Sequence, residues 1–115
     1  MKGEAVVVTV VVMLGFAQAA VYNVGDAKGW GFNVLGWEHG KNFRAGDTLV
    51  FKYDTTLHSV VRVDKASFDA CSIPPNAPKY ATGNDQIVLP KGPNYFLCGT
   101  PGHCTAGVRI TAFAA

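Results

Sequence analysis

Beyond residue 13 the chain contains no methionine; Met1 and Met13 are the pair it has. Any site built further along must therefore do without a thioether. Glutamine is nearly as scarce, with Gln86 the sole example after Gln18. Histidine occurs three times, at His39, His58 and His103, too few for the trinuclear centre of a multicopper oxidase. No Asn-x-Ser/Thr occurs, so N-glycosylation is not expected. Repeats and low-complexity tracts are absent. Lysine and arginine are scattered, and the formal charge of +2 is far from the balance of a nucleic-acid-binding protein. Past residue 16 there is no long apolar run, and nothing after Val108 suggests a lipid anchor.

The one apolar run lies at the start. Lys2 precedes Ala5 to Phe16, and Ala17-Gln18-Ala19 is a small-x-small cleavage signal. Residues 1–20 have the layout of a secretory leader, and the run is short for a membrane span. Cleavage after Ala19 or Ala20 is expected to leave about 95 residues. Setting aside Lys2 and Glu4 leaves the charge at +2. Residues 21–115 are one domain by length, able to bury roughly 60–70% of the unfolded surface, so a covalent staple would help.

After the leader comes a series of short β-type segments between Gly, Pro, Asn and Asp. Strands are expected at Val21–Val24, Thr48–Tyr53, Leu57–Val63, Gln86–Leu89, Asn94–Cys98 and Val108–Phe113. Thr48–Tyr53 carries the clearest alternation, with Leu49, Phe51 and Tyr53 on one face and Val50 and Lys52 on the other. In Leu57–Val63 the same alternation groups His58 with Val60 and Arg62, and places His58 near the strand's start. Asp64–Ala70 is expected to be one short helix with Asp64 as N-cap. The pattern argues an all-β sandwich.

Three cysteines in a secreted chain leave one unpaired. A Cys71–Cys104 disulfide leaves Cys98 as a thiolate five residues before His103 and forty after His58, which gives both histidines a role. Cys98–Cys104, with Cys71 free, is the alternative at this point. One soft sulfur and two imidazole nitrogens suit a copper ion that cycles between Cu(II) and Cu(I), since neither state gets its ideal ligands and little need rearrange. The expectation is a one-electron carrier and not an enzyme. Zinc hydrolysis would want a general base near the metal, and the Cys98–His103 loop holds no Asp or Glu. A nucleophilic Cys98–His103 pair lacks an orienting third group.

The segment Tyr95-Phe96-Leu97-Cys98-Gly99-Thr100-Pro101-Gly102-His103-Cys104 resembles the signature of the phytocyanins, the plant blue-copper domains. Val21-Tyr22-Asn23-Val24-Gly25-Asp26, Gly29-Trp30, the run Phe43 to Phe51 and Leu57-His58-Ser59-Val60 extend the resemblance over essentially all of Val21 to Ala115. With its mild basic charge the chain looks like the plantacyanin, or basic blue protein, branch. The resemblance implies a Greek-key, cupredoxin-like β-sandwich with one copper at one end. It implies His58, Cys98 and His103 as copper ligands and Cys71–Cys104 as the structural disulfide. It also exposes one departure. Five residues after the second histidine this branch has Met and the stellacyanin branch has Gln; here Val108 stands there, without a lone pair to offer. Loss of an axial donor is expected to raise the reduction potential, because that donor stabilises Cu(II) more than Cu(I).

His103, in a Pro101-Gly102 loop, is expected to present its imidazole edge near solvent within an apolar rim, as the electron port where an unidentified redox partner docks. His39, in a polar turn, is expected to be a solvated surface residue. Trp30, Phe32, Trp37, Tyr95 and Phe96 are expected to be core and rim. A monomer is expected, without nucleic acid or membrane anchor, in the extracellular space or cell wall by resemblance. The rival reading is a non-redox extracellular cell-wall or signalling protein on the same fold, with copper vestigial or absent.

Overall fold

The computed structural model of the chain describes residues 18–115. The secretory leader expected over residues 1–20 lies, but for its last three positions, outside the described residues.

Two sheets face one another. The first holds β1 (Val21–Asn23), β2 (Thr48–Lys52) and β5 (Asn84–Val88), with β2 central, parallel to β1 and antiparallel to β5. The second has the order β4 (Lys79–Tyr80), β3 (Val60–Val63), β6 (Gly92–Leu97), β7 (Arg109–Ala114), antiparallel throughout. On β2 Leu49 and Phe51 are fully buried and Lys52 is exposed, as the alternation predicts, but Val50 on the opposite face is buried as well. β5 and β7 alternate likewise, sending Ile87, Ile110, Ala112 and Ala114 inward. Phe51 packs against Trp30 and Phe96, with ring centroids 5.1 and 5.2 Å apart, and joins the two inner faces. Burying a side chain of this size contributes about 1.5–3 kcal/mol. The Trp30 indole N–H is satisfied inside by donating to the Ser59 carbonyl at 2.9 Å.

The outer face of the second sheet is covered as well. Val61, Leu97 and Cys104 form a second buried cluster, flanked by Val63, Cys71 and Ala77. Helix α1 (Lys65–Ala70) leads into this cover. The Asp64 carboxylate accepts from the Ser67 N–H at 2.8 Å, the N-cap that the sequence predicts. Cys71 closes the helix in the left-handed region at φ +51°. A helix of six residues cannot hold itself in water. The Cys71–Cys104 disulfide ties its end to the loop between β6 and β7, as expected from the resemblance.

Besides strand ends that shift by one or two residues, three features differ from the sequence reading. The strand expected over Leu57–Val63 begins at Val60, so His58 sits on the turn before it. Val60 and Val61 are both fully buried, because covering both faces of the sheet overrides simple alternation. The two-residue β4 escapes prediction, being too short to show a period and following directly on Pro78.

Candidate metal centre

All three predicted donors converge at one end of the sandwich. His58 is delivered by a tight turn in which the Asp54 carbonyl accepts the N–H groups of both Leu57 and His58 at 3.0 Å. The Asp54 carboxylate accepts from the Thr56 N–H at 2.9 Å and from its hydroxyl at 2.7 Å, an Asx turn that stops β-pairing before Val60. Cys98 follows β6 directly, and its N–H donates to the Val108 carbonyl at 3.0 Å. The His103 N–H donates to the Thr100 carbonyl at 3.1 Å, and its own carbonyl accepts from the Val108 N–H at 3.0 Å. Val108 is thus pinned through its backbone to both Cys98 and His103.

Side chains then lock the two loops together. The Gly99 N–H donates to Ser59 Oγ at 3.2 Å, and the Thr100 hydroxyl donates to the Leu57 carbonyl at 2.8 Å. A Cβ on Gly99 would lie 2.8 Å from Ser59 Oγ and 3.1 Å from Val61, so this close approach requires glycine. Neither Ser59 nor Thr100 stands out in the sequence. Their signal is position alone, one residue after His58 and two after Cys98.

The donor atoms form a small triangle. Cys98 Sγ lies 3.5 Å from His58 Nδ1 and 3.6 Å from His103 Nδ1, and the two nitrogens are 3.1 Å apart. A circle through these three atoms has a radius of about 2.0 Å, in the range of transition-metal bonds to nitrogen and a little short of those to sulfur. Among the described residues this metal-competent cluster comprises His58, Cys98 and His103. Cys98 is 1% exposed and His58 8%, while His103 is partly open to solvent. Burial, and after it the neighbouring His103 imidazole, push the His58 pKa below the ordinary histidine range, against the opposing pull of Asp54. His58 is therefore neutral at physiological pH, the form that ligates. One sulfur and two imidazole nitrogens fit copper.

Phe32 covers the site. Its ring centroid stands 4.7 Å from that of His103 and 5.4 Å from that of His58, yet the side chain is 51% exposed. Leu35, beside Gly107, and Leu57, whose carbonyl accepts from Thr100, are also exposed, as are Pro101 and Gly102 just before His103. Val108 is fully buried in the same cluster as Cys98. His39 is exposed and lies outside the donor cluster, near Gly36. Trp30 and Phe96 are core, whereas Trp37 and Tyr95 are half-buried.

Comparison with known proteins supplies the family context. Residues 29–108 match the plastocyanin-like domain model. A basic blue protein of Arabidopsis thaliana is 48% identical over 99 residues, covering 86% of this chain and 77% of the relative. A basic blue protein of Cucumis sativus is 50% identical over 95 residues, covering 83% of this chain and 99% of the relative. The solved structure of cucumber basic protein, a blue copper protein, superposes with a TM-score of 0.82 at 49% identity, covering 84% of this chain and all of that one.

Proposed function

This chain belongs to the phytocyanin family of plastocyanin-like blue copper domains, and from that premise we propose that it is a secreted one-electron carrier holding one copper ion on His58, Cys98 and His103. The observation that carries this reading is the triangle of one sulfur and two nitrogens on a circle of about 2.0 Å radius. When bound, copper supplies reversible exchange of one electron between Cu(II) and Cu(I).

The protein's part is to hold the donors still. Cys98, His58 and His103 are fixed by backbone hydrogen bonds to Val108, Asp54 and Thr100, and their loops are cross-linked through Ser59 and Thr100. A donor set that cannot relax toward the preference of either oxidation state keeps reorganisation small. Val108, which stands where the resemblance implies Met or Gln, offers no donor atom, so copper held by His58, Cys98 and His103 would have a higher reduction potential than at a Met- or Gln-bearing site. His103, the most open donor, is the electron port, and the exposed Phe32, Leu35 and Leu57 form the surface where a redox partner docks. Monomeric function suits a single domain whose donors all come from one chain. The Lys2-to-Ala19 pattern supports secretion.

Copper titration of ligand variants tests the assignment. Wild-type protein is expected to take up one Cu(II) per chain, and Cys98→Ser to lose the thiolate-to-copper absorption while keeping its fold. His58→Ala and His103→Ala are each expected to weaken binding. A Cys98→Ser protein with the wild-type copper spectrum would overturn the ligand set.

A further inference from the structure

Ala20 is clamped through both of its backbone groups. Its N–H donates to Asp47 Oδ1 at 2.8 Å, and its carbonyl accepts from the Thr48 N–H at 2.9 Å. Asp47 is 3% exposed, and its other oxygen accepts from the Arg44 N–H at 2.8 Å. Among the described residues the ion pair present is Lys65–Asp69, so no Lys, Arg or His side chain described there neutralises this carboxylate. A buried carboxylate with amide donors alone lacks its best compensation, an opposite charge. Ala20 is half-buried, whereas Gln18 and Ala19 just before it are exposed.

We propose that the chain is cut between Ala19 and Ala20, and that the α-ammonium so created is the counter-charge of buried Asp47. This rests on the secretory reading, and it moves the start of the processed chain one residue ahead of Val21. Ala17-Gln18-Ala19 places small residues at the first and third positions before this bond. A cut one residue later would put Gln18 at the third position, where a small residue is preferred. Hydrolysis adds one water across the Ala19–Ala20 amide. The hydroxyl goes to the Ala19 carbonyl carbon, which leaves as a carboxylate, and the Ala20 nitrogen leaves as an ammonium. A neutral amide donor facing Asp47 becomes a charged one, which makes the stronger hydrogen bond. Because Ala20 stays half-buried, the ammonium keeps part of its water. Removing the leader thereby strengthens the start of β1, which lies at an edge of the first sheet.

Two measurements test this. The intact mass of the protein secreted by plant cells from its own leader is expected to equal residues 20–115. A chain starting at Val21 or any other internal residue overturns the proposal, while a chain retaining residues 1–19 overturns the secretory reading beneath it. Unfolding is then compared for chains beginning at Ala20, beginning at Gln18, or beginning at Ala20 with the amine acetylated. The free amine at Ala20 is expected to raise the folding equilibrium constant about tenfold over the other two, the margin between charged and neutral donors. In Asp47→Asn the gain is expected to disappear. An equal gain in the Asp47→Asn variant, or no gain over the acetylated chain, would overturn the ion pair.

Discussion

Replacing Val108 by methionine is expected to lower the reduction potential of the copper-loaded protein. Position 108 is held rigidly, since its N–H donates to the His103 carbonyl and its carbonyl accepts from the Cys98 N–H, both at 3.0 Å. A longer side chain there enters the buried cluster that contains Cys98. If it brings a thioether to a copper held there, Cu(II) would gain more than Cu(I). Each tenfold difference in that gain lowers a one-electron potential by about 59 mV. Crowding is a separate effect, because Val108 is fully buried and overpacking costs about 1–3 kcal/mol. Val108→Leu provides the control, with added bulk and no donor. The assay is a redox titration followed at the blue absorption band, with urea unfolding of each variant alongside. A potential that rises or stays unchanged in Val108→Met would refute the reasoning, as would an equal drop in Val108→Leu.

Removing the disulfide by Cys71→Ala with Cys104→Ala frees a link spanning 33 residues, which the chain-entropy model values at about 3–4 kcal/mol. Denaturant unfolding should show that loss, and copper should leave faster because Cys104 adjoins His103; a loss under about 1 kcal/mol would contradict the estimate. Tyr53 donates to Asp85, and burial first, then that hydrogen bond, raises its pKa to about 12. Its proton is retained by the folded state after unfolded tyrosine has begun to ionise near pH 10, so stability should be level below about pH 10 and fall between about 10 and 12. Unfolding measured across that window should lose part of this fall in Tyr53→Phe, and an unchanged slope would count against it. Phe32→Ala, at a half-exposed side chain, should change stability by no more than about 0.5 kcal/mol yet speed copper removal by a chelator, and an unaltered rate would show that the ring does not shield the imidazoles.

Much of the sandwich is legible in the sequence because strands with one core face show period two. Leu49 and Phe51 point inward on that ground alone, and Asp64 announces the helix. Periodicity fails where both faces are covered, as at Val60 and Val61, and where a turn takes the hydrogen bonds first. Alternation puts His58 on a strand, but the Asp54 carbonyl captures its N–H before pairing can start. Donor identity is legible from residue type and spacing, since a lone thiol and two imidazoles have few common uses. The supports are not. Ser59 and Thr100 act through contacts about forty residues away along the chain. Buried Asn94, whose amide donates to the carbonyls of Pro90, Gly92 and Ala112, is equally invisible before folding.

The most direct test of the electron-carrier account is a visible absorption spectrum of the folded protein after one equivalent of Cu(II), recorded through a cycle of reduction and reoxidation. On this account an intense blue thiolate-to-copper band that vanishes on reduction and returns on oxidation is expected. A colourless protein with its fold intact would contradict it, and would leave the non-redox extracellular role as the reading of this sandwich.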